Sequence, residues 1–459
     1  MRHLFSVVHC KPGAFGAVVA LMVWGGLVGA VADVADAHGL RPIPRMLYQE
    51  PNDDDLQVLV SSDQGLHLTQ DGGDTWYWVC EDIIGSDVYA FSVAGPVVED
   101  ATEPRTWIAG GIGQTQGGQP QDIDGVYLSQ DAGCNWTPAT GALAGQWASV
   151  ILTHPERLDE VLVATQHANR TNGVAITEDG GQTWVWTELE GIDGVLFARN
   201  RWVNAMVRAS ADPEVVYAST TNAMHTSTDG GRTWTRWGEQ LILNDTDILE
   251  VHQVDPLDAQ AVYFSLYDPQ GRTLYVSRDG GQTMEPLKES NTRDGVSLAI
   301  IPEEEEGEGR LFVLATDLGS VFRSRDEGAT WIEEGPITPV ECLIGDQTRP
   351  GSVYVCQNLY AQLGGVEPFA LGRSSDGLEG VDRWFTYADI EGHQNCPENS
   401  QVNQICVPLE LEMMNNGTTG DAGADTSPMA DTGTDGADTD DADTGMPVDS
   451  GAEVEGSGG

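Results

Sequence analysis

Lysine is almost missing: Lys11 and Lys288 are the only two in 459 residues. Lysine and arginine together number 22 against 72 acidic residues, for a formal net charge of −50. A nucleic-acid binder needs a basic footprint, so that class is excluded. The same shortage excludes a polybasic membrane-surface protein. Past the N-terminus there is no run of about 20 apolar residues, so the mature chain is not expected to span a membrane. The sequence has no C-x-x-C, H-E-x-x-H, G-x-S-x-G, P-loop or dinucleotide-binding glycine pattern. His67, His154, His167, His225, His252 and His393 share no ligand spacing, so neither a metal nor a cofactor is expected. Long helical periodicity is missing as well.

The N-terminus carries Arg2 and Lys11, an uncharged apolar run from Gly13 to Ala32, and the small-residue pattern Ala35-Asp36-Ala37. That layout predicts a secretory signal peptide over residues 1–37, hence a secreted, periplasmic or cell-surface protein. Six cysteines remain after cleavage: Cys80, Cys134, Cys342, Cys356, Cys396 and Cys406. An even count in an exported chain predicts disulfides, and six cysteines allow 15 connectivities. Short spacing favours Cys342–Cys356 and Cys396–Cys406, which leaves Cys80–Cys134 to join neighbouring repeats.

Self-similarity dominates the rest. The segments TQDGGDTW, SQDAGCNW, TEDGGQTW, STDGGRTW, SRDGGQTM, SRDEGATW and the worn SSDGLEG centre on Asp71, Asp131, Asp179, Asp229, Asp279, Asp326 and Asp376. Their period near 50 residues, with four short alternating segments per repeat, predicts an all-β chain: a seven-bladed propeller of four-stranded antiparallel blades. The propeller with a C-terminal disulfide extension should occupy residues 38–412. Each Asp turn should close the hairpin between the third and fourth strands. Its carboxylate accepts main-chain N–H bonds, its glycine supplies positive φ, and its Trp covers the hairpin. One such turn per blade suits a structural role, since a catalytic site would break the symmetry. Residues 413–459 hold Asp, Thr, Gly and Ala without Lys, Arg or aromatics, and should form a disordered acidic spacer.

The repeated S/T-x-D-x-G-x-T-W motif is identified as the Asp box, or BNR repeat. The chain therefore resembles the Asp-box propeller superfamily, which includes sialidases, two-propeller xyloglucanases, the sortilin ectodomain and the photosystem II stability and assembly factors. Seven blades of near-constant length look most like the assembly factors or one xyloglucanase propeller. The cysteine pattern is similar to that of exported Asp-box proteins of myxobacteria-type bacteria. In sialidases the resemblance implies an R-I-P arginine ahead of the first box; here the stretch is Arg41-Pro42-Ile43-Pro44-Arg45, which departs from it. Arg199, Arg201 and Arg208 are further arginines without a sialidase pattern.

Strand order puts the Asp turns on one face together with the first-to-second loops. The opposite face takes the second-to-third loops and the crossings between blades, where blades two, three and seven carry insertions. Variable loops on a rigid scaffold favour binding. The candidates there are Trp147, His167, Asn169, Arg170, Arg199, Arg201, Trp202 and Tyr360. The reading is an exported, non-catalytic scaffold for binding or assembly, with an unknown protein or glycan partner. The competing reading is a glycan-active hydrolase, sialidase-like or xyloglucanase-like, using two opposed carboxylates in the central cleft.

Overall fold

The computed structural model describes residues 44–408, except 50–56, 63, 85–87, 96–104, 112–124, 168–169, 190–201, 221–222, 239–247, 270, 291–295, 303–308, 317–319, 335–339, 346–350, 358–368, 376–377 and 379. Seven antiparallel sheets follow one another along the chain, each in the strand order first, second, third, fourth. The first strands are Pro44–Gln49, Val88–Ala94, Ala148–Thr153, Val203–Arg208, Ile248–Asp255, Val296–Pro302 and Val340–Gly345. Each contacts the first strand of the next blade, and the seventh contacts the first, so these strands surround a common axis.

The inner strands are rich in β-branched residues and buried on both faces. The run Val161–Thr165 is buried throughout, whereas the outer strands expose Val185 and Ile332. Burial on both faces follows from packing blade against blade. Seven apolar clusters occur among the described residues, one in each interface between neighbouring blades. The cluster of Leu47, Trp76, Ile344, Tyr354 and Phe385 joins blade seven to blade one and closes the ring.

The Asp turns lie between third and fourth strands, as expected. In blade four, Asp229 Oδ1 accepts the Thr233 N–H at 2.9 Å and the Ser227 hydroxyl at 2.7 Å, and Oδ2 accepts the Thr233 hydroxyl at 2.6 Å. Asp71, Asp131, Asp179, Asp279 and Asp326 repeat this pattern. Asp376 lies outside the described residues, but Leu378 N–H still donates to Ser374 Oγ at 2.8 Å, as Gly231 does to Ser227. The second glycine is required where it faces a neighbour. Gly281 has φ +99, and a Cβ there would come within 2.1 Å of Trp237.

One detail differs from the sequence reading. The Trp ending each turn does not merely cover its own hairpin. Trp76, Trp136, Trp184, Trp234 and Trp331 pack in the interface with the preceding blade, and Met284 and Val381 do the same where Trp is replaced. Trp76 stacks on Phe385 of blade seven with ring centroids 4.1 Å apart. The turn thus orders its hairpin and wedges two sheets together.

The cysteine pairing also needs correction. Cys342–Cys356 forms as expected, within blade seven. The other bridges are Cys80–Cys406 and Cys134–Cys396, not Cys80–Cys134 and Cys396–Cys406. Cys80 follows its blade's fourth strand while Cys134 precedes the next one, so the two sit at opposite strand ends. The segment after blade seven reaches both. Ile390–His393 adds a fifth, parallel strand to blade one beside Trp76–Val79, and a helical turn at Val402–Cys406 follows. Side chains reinforce this clasp: Gln401 Oε1 accepts the Trp136 N–H, and Gln394 Nε2 donates to Ala132 O. Among the described residues, no helix is long and apolar enough to cross a membrane.

Candidate functional site

The face away from the Asp turns is organised around the beginnings of the first strands. In five blades a β-bulge falls at the same register, with one extra residue between two paired ones. Those extra residues are Arg45, Tyr89, Ser149, Asn204 and Glu341. Bulges interrupt pairing and re-aim side chains, and five at one level around an axis make that level distinct. Ser149 Oγ donates to Val203 O of the next blade at 2.6 Å. Asn204 Nδ2 donates to Leu249 O of the blade after that at 2.7 Å. In blade five Glu250, following Leu249, pairs regularly with Ser265, and that blade's bulge falls further along, at His252.

Of the predicted candidates, Trp147, His167, Arg170 and Trp202 are among the described residues. Trp147 and Trp202 each stand two residues ahead of those polar groups, Ser149 and Asn204, in adjacent blades. Trp147 is buried and lies against the His167 ring, with centroids 4.3 Å apart. It supports the loop rather than offering a free ring. His167 N–H donates to Asn172 Oδ1 at 2.7 Å, and Asn172 Nδ2 returns a bond to His167 O at 2.8 Å. Burial, assisted by the Arg170 charge, lowers the His167 imidazole to about 4, so it is neutral near pH 7. Arg170 is exposed, but its Nη1 donates to Ala144 O at 2.9 Å and ties the loop to the crossing from blade two. Trp202 is partly buried. Ile248, at the matching position in blade five, is 43% exposed. Asn169, Arg199, Arg201 and Tyr360 lie outside the described residues. Arg208 is at the other end of its strand, where Nη1 donates to Pro213 O.

Two groups at this level were absent from the sequence candidates. Glu250 sits on an inner strand, and burial raises its carboxyl to about 8. Asn204 Oδ1 is buried and accepts no hydrogen bond, although its amide is held through Nδ2. The signal that pointed there was the Trp–x–Ser/Asn spacing shared by Trp147 and Trp202.

The Asp-turn face is chemically different. Its carboxylates are committed to their own hairpins. The Thr283 hydroxyl and N–H hold Asp279 at about 2, and Thr330 does the same for Asp326. An open groove of about 490 Å³ lies between the turns of blades two and three, lined by Gln130, Asp131, Asn135, Thr137, Pro138 and Gln182 among others. Arg157 and Arg232 bridge Glu160, Glu178 and Glu214 across blades three and four. Among the described residues, no group of three or more His, Cys, Asp or Glu side chains is placed to hold a metal ion.

No family model matches the chain, and no curated protein sequence matches it. Among solved structures it is similar to an ancestral GH74 enzyme, with 15% identity, TM-score 0.47, and coverage of 64% of this chain and 38% of that one. It is also similar to YCF48 from Cyanidioschyzon merolae, with 14% identity, TM-score 0.45, and coverage of 69% and 92%. The Niastella koreensis GH74 enzyme has 12% identity, TM-score 0.41, and coverage of 73% and 64%.

Proposed function

We propose that the chain is an exported, non-catalytic Asp-box propeller that binds a protein or glycan ligand through the face opposite its Asp turns. One observation carries this reading. On blades three to five, Trp147, Trp202 and Ile248 share a register beside Ser149, Asn204 and Glu250, behind a loop that His167, Arg170 and Asn172 hold in place. A preformed arc of apolar and polar groups on a rigid scaffold suits a binding surface. Six turns hydrogen-bonded alike support the Asp-box assignment, and three disulfides support export. Residues 1–37 are the signal peptide in this reading, and 413–459 the acidic spacer.

The test is a glycan-array and pull-down screen with residues 38–459. Capture that is lost on Trp202→Ala supports the reading. Reproducible hydrolysis of any glycan overturns its non-catalytic part.

One observation favours the hydrolase reading instead. A carboxyl held protonated near neutral pH, as Glu250 is, has the state required of a general acid. If glycan hydrolysis is found, Glu250→Gln must abolish it for this second reading to hold.

A further inference from the structure

The Asp turns share a core but differ at their variable positions. Between blades three and four, Glu178, which precedes Asp179, pairs with Arg232, which stands three residues after Asp229. Between blades five and six, Arg278, which precedes Asp279, donates from Nη1 to Glu327 Oε2 at 2.8 Å, next to Asp326. A charged pair thus spans both junctions from the same position of the leading turn. Between blades two and three, the residues matching Glu178 and Arg232 are Gln130 and Gln182, both neutral and exposed. Neither side-chain amide has a hydrogen-bond partner among the described residues, and both line the groove of about 490 Å³ at that junction. Thr140 lines it too, with a hydroxyl that does not cap the helical turn it precedes.

The chemistry of this lining selects a ligand. Two amides and a hydroxyl each donate and accept. Asp131 adds little, because both its oxygens are held by Ser129 and Asn135 within the turn. Leu128 and Pro138 supply apolar surface, and the volume lies in the range of small-molecule sites. Among the described residues no Lys or Arg lines the groove, and the net charge of −50 repels anions. The bordering outer strand is only Thr137–Pro138, and proline has no N–H, so an extended peptide finds no ladder to join. A sugar ring suits these walls: its hydroxyls meet groups that both donate and accept, and its C–H faces meet apolar side chains.

We propose that the groove between the Asp turns of blades two and three binds a neutral sugar, its hydroxyls paired with Gln130, Gln182 and Thr140 and a ring face against Leu128 and Pro138. This site lies on the Asp-turn face, goes beyond the binding-face reading above, and stands or falls separately from it.

The test is calorimetric titration of residues 38–459 with cellobiose, maltose, lactose and xylobiose, with the uronic-acid counterpart of any disaccharide that binds, and with acetyl-Ala-Ala-Ala-amide as a bare peptide. At least one disaccharide should bind with Kd about 1 mM or tighter, and its acidic counterpart at least about tenfold more weakly. Gln182→Ala should weaken binding about three- to tenfold. Gln130→Glu combined with Gln182→Arg places at this junction the pair that Glu178 and Arg232 form at the next. That double variant should keep its melting temperature and weaken binding at least about tenfold. Gln282→Ala, at the matching turn position of blade five, where Nε2 donates to Asp279 O, should leave binding unchanged. Absence of binding by all four disaccharides overturns the proposal, as does equal binding of the acidic counterpart. Sugar binding that survives the folded double variant and is lost on Trp202→Ala overturns this groove and supports the opposite face. Binding of the alanine peptide in place of the sugars, lost in the double variant, overturns the sugar assignment.

Discussion

The Asp turns recur around the ring, whereas the C-terminal clasp and the arc at the axis each occur once. The repeated turns are closed systems. Asp229 spends both carboxylate oxygens on its own hairpin, and Trp234 is committed to the interface with blade three. The single features are different in kind. The clasp ties Cys396 and Cys406 to blades one and two, and the arc leaves Asn204 Oδ1 open. What is repeated builds the ring; what is unique closes it or, in the proposed reading, meets a partner.

Acid separates the two classes most strongly. The buried histidines are scattered rather than repeated, and burial lowers His67 to about 3 and His225 and His252 to about 4 from an ordinary 6.5. Their neutral forms are favoured in the fold, so their contribution is complete above pH 6.5 and is lost as pH falls towards 4. The Asp turns lie the other way: Asp279 and Asp326 are held at about 2 against 3.8, so their contribution persists until pH drops below 3.8. Melting temperatures measured from pH 7 to 2 should fall first across the histidine window, as linkage removes on the order of several kcal/mol of stability. A fall confined below pH 4 would contradict the burial of the histidines.

Removing the clasp comes next. Cys80→Ser with Cys406→Ser opens a link between residues 326 apart and should cost about 2–5 kcal/mol in a denaturant titration. Opening Cys342–Cys356, 14 residues apart within one blade, should cost less. Asp229→Ala should cost about 1–2 kcal/mol through the lost turn hydrogen bonds. Glu250→Gln should act with the opposite sign. A carboxyl raised from 4.5 to about 8 by burial supports the fold fully below pH 4.5 and loses that support as pH rises towards 8. The variant should therefore match the parent near pH 4 and melt several degrees higher near pH 9.

The same division explains what could be read from the amino-acid sequence. The turns announce themselves because their chemistry is local: an Asp, two small residues and a Trp within eight positions. Strand number and blade order followed from that period. The clasp was hidden because its partners are 262 and 326 residues apart, and spacing along the chain carries no information about them. The parallel strand Ile390–His393 was hidden for the same reason. Trp147 and His167 were read as candidates from their loops, and nothing in their spacing showed that their rings pack together. Asn204 lies inside an apolar strand segment, and the bulge register and the cross-blade bond from its Nδ2 bring it forward.

The central claim, that repeated turns carry structure and the unique arc carries recognition, meets its most direct test in a paired measurement on Asp229→Ala and Ile248→Asp. For each, the melting temperature and the set of partners captured by residues 38–459 are recorded together. Asp229→Ala should melt earlier and keep its partners, while Ile248→Asp should keep its melting temperature and lose them. Capture that survives Ile248→Asp and disappears with Asp229→Ala at temperatures where both are folded would contradict the account.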